Sequence, residues 1–468
     1  MSDFAKRFTG LSGIASLMED LGDALNQYPD LIFMGGGNPA QIYVVEECVA
    51  KHINNIVNDG TDNGASLHKL IGEYQPPQGD PECRAVLAKY LSEFYFSGNN
   101  TCQQNTLTSQ SGSDSSNQQS AWPMTADNVA ISNGGQSAFF SLFNMFAGHS
   151  TSELSPDETG PDKTPEKTSS KLDSQSDHKR ILLPMVPDYL GYADAGLDGD
   201  MFQTIRPLIE NQAPPFFKYK IDFDNLHIDQ NIAAVCLSRP ANPSGNIVTD
   251  DEIVELKKRC AEYNIPLIID LAYGSPFPNI TFVDHHLEWD ENTILVLSLS
   301  KLGLPGVRTG IVIAAPDIIK RFSRATASLS LAPSNLGPAL CKSLIRSSDL
   351  SSLVDNEIRP YYHDKMQKTT RYLVSLIQNL PVNIHQPEGA FFLWLWLKDL
   401  PINSQTLYQN LKDKGLLVLS GHHFFEPLGQ EEWPHRDQCI RLSYCQPWEK
   451  VKAGIDILID ELNQLYEG

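Results

Sequence analysis

The chain has 468 residues, of which 41% are hydrophobic and 20% charged, and it carries a formal net charge of -21. Such a length exceeds the usual single domain, so two domains are expected, and the acidic balance argues against nucleic acid as a partner. No apolar run reaches membrane-spanning length, and Met1-Ser-Asp-Phe-Ala-Lys-Arg7 lacks the apolar core of a signal peptide, so a cytoplasmic protein without membrane contact is expected.

Taken in chain order, two segments break the globular texture. Residues 98–120 are rich in Ser, Gln, Asn and Thr, and residues 149–179 contain no Phe, Tyr or Trp. Neither buries enough apolar surface to offset the entropy of ordering, so both read as flexible surface insertions. Between and after them, Asn128–Ser132 reads as a strand and Gln136–Phe146 as an amphipathic helix. Ile181–Met185, Ile232–Leu237, Ile265–Ile269, Ile294–Leu299 and Gly310–Ala314 read as further buried strands. A helix over 250–263 opens with the capping-box pattern Thr249-Asp-Asp-Glu252. Continuous apolar strands alternating with helices predict an α/β fold whose sheet is covered on both faces. After Leu350 the texture becomes a smaller α+β unit: a long helical stretch, strands at Phe391–Leu397 and Cys439–Tyr444, and a helix near Leu407.

Open α/β sheets place ligands at the C-terminal ends of their strands, and four such loops stand out. Ser132-Asn-Gly134-Gly135-Gln136 leads into a helix; paired glycines there suit either a tight turn or an anion cradle. Ser238-Arg-Pro-Ala-Asn242-Pro-Ser-Gly245 is a turn, and its Asn242 amide is able to donate to a ligand oxygen. Asp270 closes an apolar strand just before Tyr273, where a carboxylate needs a donor or a cation beside it. Ser298-Leu-Ser300-Lys301-Leu-Gly-Leu-Pro-Gly-Val-Arg308 places a lysine after a strand, among hydroxyls and a guanidinium suited to phosphate. A lysine there is ordinarily solvated; desolvated, its lowered pKa would let it attack a carbonyl.

In order and spacing these loops resemble the pyridoxal-phosphate (PLP) aminotransferases of fold type I. That resemblance implies pyridoxal 5'-phosphate as cofactor, with Lys301 carrying it as a Schiff base and moving the Cα proton. It also implies Asp270 on the pyridine nitrogen, Tyr273 and Asn242 on the ring oxygen, and Tyr189 stacked on the ring. Gly134, Gly135, Gln136, Ser298, Ser300 and Arg308 match the phosphate cup. Tyr74, in Tyr74-Gln-Pro-Pro-Gln-Gly79, resembles the tyrosine lent to the partner's phosphate, which implies a homodimer with active sites at the subunit interface. Arg441 matches the arginine that grips the substrate carboxylate, with Gly37 and Asn242 beside it. The implied architecture is a mainly parallel seven-stranded sheet in a large domain over residues 51–345 and a small domain over residues 346–468. Residues 1–50 would supply an N-terminal arm and part of the small domain.

Further segments resemble the valine–pyruvate branch of this family: Ser16–Asp20, Met34–Gln41, Gly191–Gly196, Pro387–Trp396 and Gly421–Phe425. The implied substrates are an aliphatic amino acid and a 2-oxo acid. The alternatives are another aliphatic or alanine aminotransferase, or a PLP lyase, on the same fold. A regulator built on this fold would need a DNA-binding module, for which residues 1–30 are too short. A dinucleotide site would need Gly-x-Gly-x-x-Gly, which is absent. The eight cysteines form no Cys-x-x-Cys pair, and the pairs His285-His286 and His422-His423 have no completing ligand, so no metal is expected.

Overall fold

The computed structural model describes residues 31–58, 67–96, 124–149, 178–429 and 432–467. Ser16–Asp20, the 98–120 insertion and nearly all of the 149–179 insertion lie outside the described residues. Within them, the six apolar runs between residues 128 and 314 assemble into one sheet. Its order is Val129–Ser132, Gly310–Ile313, Thr293–Ser298, Leu267–Asp270, Ile232–Ser238 and His178–Leu183, with Phe202–Thr204 and the two-residue Gly148–His149 both pairing with the last. From Thr293–Ser298 through to Phe202–Thr204 every neighbour is parallel. Gly310–Ile313 runs antiparallel to both of its neighbours. The sheet is thus the expected α/β sheet of seven strands plus a short edge strand. Four of these strands, 129–132, 267–270, 293–298 and 310–313, are buried along their whole length, as a sheet covered on both faces requires.

The direction of the strands positions the site. Because Gly310–Ile313 reverses between two strands that run the same way, the C-terminal ends of 129–132, 232–238, 267–270 and 293–298 share one edge. Residue 310 begins at that edge too, paired with both Ser132 and Ser298.

A second sheet, ordered Leu419–Ser420, Cys439–Ser443, Phe392–Leu397, Val382–His385, Phe216–Lys220 and Leu208–Asn211, combines residues from both halves of the chain. Of these, only Phe392–Leu397 and Cys439–Ser443 match strands expected from the sequence. The strand Phe216–Lys220 meets Val382–His385 in parallel, so its pairing partner lies more than 160 residues away. The N-terminal Ile32–Phe33 pairs in parallel with Leu416–Leu417, and the Ser443 N–H donates to the Met34 carbonyl at 2.7 Å. The segment after Phe33 is thereby laid against the strand that carries Arg441.

Local signals behave as expected where they are strong. In the helix Asp250–Glu262 the capping box forms: Glu252 Oε2 accepts from the Thr249 N–H at 2.9 Å and Thr249 Oγ1 accepts from the Glu252 N–H at 3.4 Å. Glu252 Oε1 also accepts from the Ile221 N–H at 2.9 Å, so the cap ties the helix to the end of strand 216–220.

Candidate active site

The shared strand edge brings the predicted loops together. Lys301 sits in a single helical turn, Ser300–Leu302, after strand 293–298, and its Nζ donates to the Gly37 carbonyl at 2.6 Å. The rings of Tyr273 and Phe391 lie 5.5 and 5.7 Å from the same nitrogen. Burial, reinforced by the charges of Arg441 and Arg308, lowers the Lys301 amine to about 8, against the opposing pull of Cys445 and Asp270. An amine so placed keeps a usable neutral fraction near neutral pH, where a solvated lysine is almost wholly charged.

Asp270 is buried at the end of strand 267–270. Its Oδ2 accepts from Tyr192 Oη at 2.9 Å and its Oδ1 from the Ala272 N–H at 2.8 Å. Burial raises its carboxyl to about 6, opposed by those two donors and the Lys301 charge. A protonated ring nitrogen beside it would restore the charged form. Tyr273 Oη is buried without a protein partner, as are Gln136 Oε1 and Arg441 Nε. Buried polar atoms left open on Tyr273 and Arg441, both of which act on Lys301, are what a polar ligand would satisfy.

The phosphate-type loop is equally specific. Gly134 has φ +96°, and a Cβ there would lie 2.4 Å from Arg308 Nη2, so only glycine lets the guanidinium approach. A Cβ on Gly135 would meet nothing within 4 Å, which leaves the N-terminus of helix Gly135–Phe146 open. Ser298 Oγ donates to Ser300 Oγ at 3.0 Å and accepts from the Ser300 N–H at 3.1 Å. Gln136 Nε2 donates to the Gly191 carbonyl at 2.9 Å, joining this loop to the one that carries Tyr189.

On the opposite wall, Arg441 Nη1 donates to Asn242 Oδ1 at 2.6 Å and Nη2 to the Gly35 carbonyl at 2.7 Å. The Arg441 guanidinium carbon lies 4.0 Å from the centre of the Phe392 ring. Burial lowers its pKa to about 10, so the side chain stays cationic at neutral pH. Arginine only donates, so the carbonyl end of Asn242 must face it, and the amide N–H₂ end is turned toward the remaining space. Beside Lys301 a cleft of about 200 Å³ opens, lined by Asn38, Gln41, Ile42, Val45, Ile358 and Tyr362 among others.

Tyr74 is the exception among the expected residues. It is 83% exposed, on the outside of the single chain. Three contributors were not read from the sequence. Tyr192 follows Tyr189 by three residues, close to one helical turn, and that spacing was the available signal. Asp188 is buried, accepts from the Ser238 and Tyr189 backbone N–H groups at 3.0 and 2.7 Å, and so anchors the Tyr189 loop to strand 232–238. The third, the Gly35 carbonyl, carries no side-chain signal at all, whereas Gly37, expected beside the substrate, meets Lys301 through its carbonyl.

Lysine, buried carboxylate and glycine-lined helix start on one sheet edge, faced by a buried arginine from the second sheet, define a site for a phosphate-bearing carbonyl cofactor and a carboxylate substrate. The chain belongs to the class I and II aminotransferases, whose family model matches residues 212–458. That family uses pyridoxal 5'-phosphate, and the open Tyr273 hydroxyl, the Gly134–Arg308 cradle and the Asp270 carboxylate fit it. The chain is 39% identical to the valine–pyruvate aminotransferase of Escherichia coli strain K12, over 99% of this chain and 98% of that protein. The crystal structure of valine–pyruvate aminotransferase from Salmonella typhimurium LT2 matches with TM-score 0.79 and 36% identity, over 97% and 99% of the two chains. A structure from Psychrobacter arcticum 273-4, assigned as an amino-acid aminotransferase, matches with TM-score 0.85 and 36% identity over 100% and 99%. Among the described residues, no helix is long and apolar enough to cross a membrane.

Proposed function

We propose that the chain moves the amino group of L-valine, or a similar aliphatic amino acid, to pyruvate, giving 3-methyl-2-oxobutanoate and L-alanine. The observation that carries this is the full-length similarity to a valine–pyruvate aminotransferase. The cleft beside Lys301 agrees with it, because Ile42, Val45 and Ile358 offer an apolar lining for a branched side chain. A single methylene in such a pocket changes affinity by only about 1–3 kcal/mol, so close aliphatic analogues should also react.

When bound, pyridoxal 5'-phosphate supplies an electron sink for the charge left at the amino acid's Cα. Lys301 holds the cofactor at rest; its amine, once released, takes the proton from Cα and returns one there in the reverse half with pyruvate. Asp270, steadied by Tyr192 and Ala272, holds a proton on the ring nitrogen. Tyr273 and the amide of Asn242 would serve the ring oxygen, and Tyr189 would pack on the ring. Gly134, Gly135, Gln136, Ser298, Ser300 and Arg308 hold the phosphate. Arg441 pairs its guanidinium with the substrate carboxylate, with Asn242 and Gly37 beside it. In this reading the enzyme is a cytoplasmic homodimer, with Tyr74 reaching the phosphate of a second copy. The large unit at residues 51–345, the small one at 346–468 and the arm at 1–50 belong to the same reading.

The test is a substrate panel on the purified holoenzyme. L-valine with pyruvate should yield alanine and 3-methyl-2-oxobutanoate at a rate above that of aspartate or aromatic donors. A strong preference for aspartate or an aromatic amino acid would overturn the assignment.

A further inference from the structure

Away from the active site, the edge strand Gly148–His149 pairs antiparallel with His178–Leu183, and His149 stands directly opposite His178. Opposed residues of an antiparallel pair project to the same face with Cβ atoms about 4.5–5.5 Å apart. Their rings lie 4.8 Å apart, centroid to centroid, tilted by 57°. Asp198 approaches the same face, with Oδ2 3.5 Å from His178 Nε2. One ligand atom from each of the three residues lies within 4.8 Å of the others. We propose that His149, His178 and Asp198 bind a divalent transition cation of the Zn²⁺ class.

The spacing leaves room for a cation between the ligand atoms. Ligands about 2.1 Å from a tetrahedral zinc stand about 3.4 Å apart, and two imidazoles with one carboxylate form a standard three-residue set that leaves one position for water. The 3.5 Å between His178 and Asp198 is too long for a good hydrogen bond and matches that ligand separation. Gly148 supports the arrangement: at φ +112° a Cβ would press on Asp198 Oδ2 at 3.3 Å, so glycine leaves the carboxylate its place. Neighbouring cations are turned elsewhere, Lys179 to the Gln230 carbonyl and Arg180 to Asp200. The cluster of Cys48, His52 and Asp349 is closed by contrast. There His52 Nε2 bonds Asp349 directly at 2.8 Å and Nδ1 bonds Ser343 at 2.7 Å, so both imidazole nitrogens are already engaged.

A bound ion ties strand Gly148–His149 to strand His178–Leu183 and to Asp198. Isothermal titration of the full-length holoenzyme with Zn²⁺ tests the site. The expected result is one zinc per chain, with a zinc-dependent rise in melting temperature. H178Q and Asp198→Asn should each weaken binding about tenfold or more. Both variants should keep the wild-type circular dichroism and melting temperature in zinc-free buffer, whereas Cys48→Ser should bind zinc as the wild type does. No saturable binding at micromolar zinc, or equal binding by wild type, H178Q and Asp198→Asn, would overturn the proposal.

Discussion

Arg441 Nη1 donates to Asn242 Oδ1 across 2.6 Å, which joins a strand of the second sheet to the loop that closes a strand of the first. The pair are 199 residues apart in sequence. It orients the Asn242 amide and leaves the Arg441 Nε without a protein partner. The two sheets therefore meet at one hydrogen bond inside the site, and the substrate carboxylate is expected to complete it.

Arg441→Lys tests that relationship. An ammonium lacks the planar fork, cannot satisfy Asn242 and a carboxylate together, and loses the stacking on Phe392. Loss of a charged hydrogen bond is worth about 1.5–3 kcal/mol, so KM for both amino acid and oxo acid should rise about tenfold to a hundredfold. Steady-state kinetics that show unchanged KM for both substrates would remove Arg441 from carboxylate binding.

Lys301→Ala should abolish turnover and the near-visible absorbance of the lysine-bound cofactor. The wild-type amine adds a pH signature. It is charged below about 8 and cannot attack a carbonyl in that form. Cofactor uptake by stripped enzyme should therefore quicken about tenfold per pH unit below that value and level off above it. Stopped-flow absorbance measures this, and a pH-independent rate would contradict a buried, deprotonating amine.

Tyr192→Phe removes the donor to Asp270 Oδ2 without changing the ring. A donor favours the ionised carboxylate, so its loss pushes the Asp270 pKa above about 6. The acidic limb of the kcat profile should move to higher pH, and kcat near neutrality should fall by about tenfold. The readout is the position of that limb, which a purely structural tyrosine would leave in place. Asp270→Ala should go further, slowing Cα proton loss (read as a deuterium isotope effect) more than it weakens cofactor retention.

Lys218 and Glu388 form an ion pair in which both residues are nearly inaccessible, at 7% and 8% exposure. Glu388 also accepts from the Ile247 N–H at 2.9 Å, and Lys218 donates to the Ile247 carbonyl at 3.0 Å. The pair thus clamps the loop that carries Asn242 to the second sheet. Lys218→Met strands a buried carboxylate and should cost about 3–5 kcal/mol. A lower urea midpoint at unchanged slope is the expected observation; an unchanged midpoint would show that the clamp contributes nothing to stability.

Much of the large sheet was legible because its strands are apolar along their whole length, and such runs need no partner to be recognised. Asn128–Ser132, Ile294–Leu299 and Gly310–Ala314 were each read within a residue or two of the strand that forms. Phe216–Lys220 was not, because its local partner Leu208–Asn211 is mostly exposed and lacks an apolar run, and its other partner, Val382–His385, lies far along the chain. The same holds for His149 and His178, which are unremarkable until antiparallel pairing sets them face to face.

By itself the sequence determined the chemical inventory: a lysine, a carboxylate, an asparagine and paired glycines, each at the end of an apolar strand, in an order that marks an aminotransferase. Strand ends are local features, and polar residues there are conspicuous against apolar runs. Only the tertiary structure decided the environment of that inventory. Burial lowers the Lys301 amine to about 8 and raises Asp270 to about 6, while Tyr192, the Gly35 and Gly37 carbonyls and Arg441 arrive from distant segments. Desolvation and long-range hydrogen bonds depend on what packs against a group, and that is a property of the folded chain.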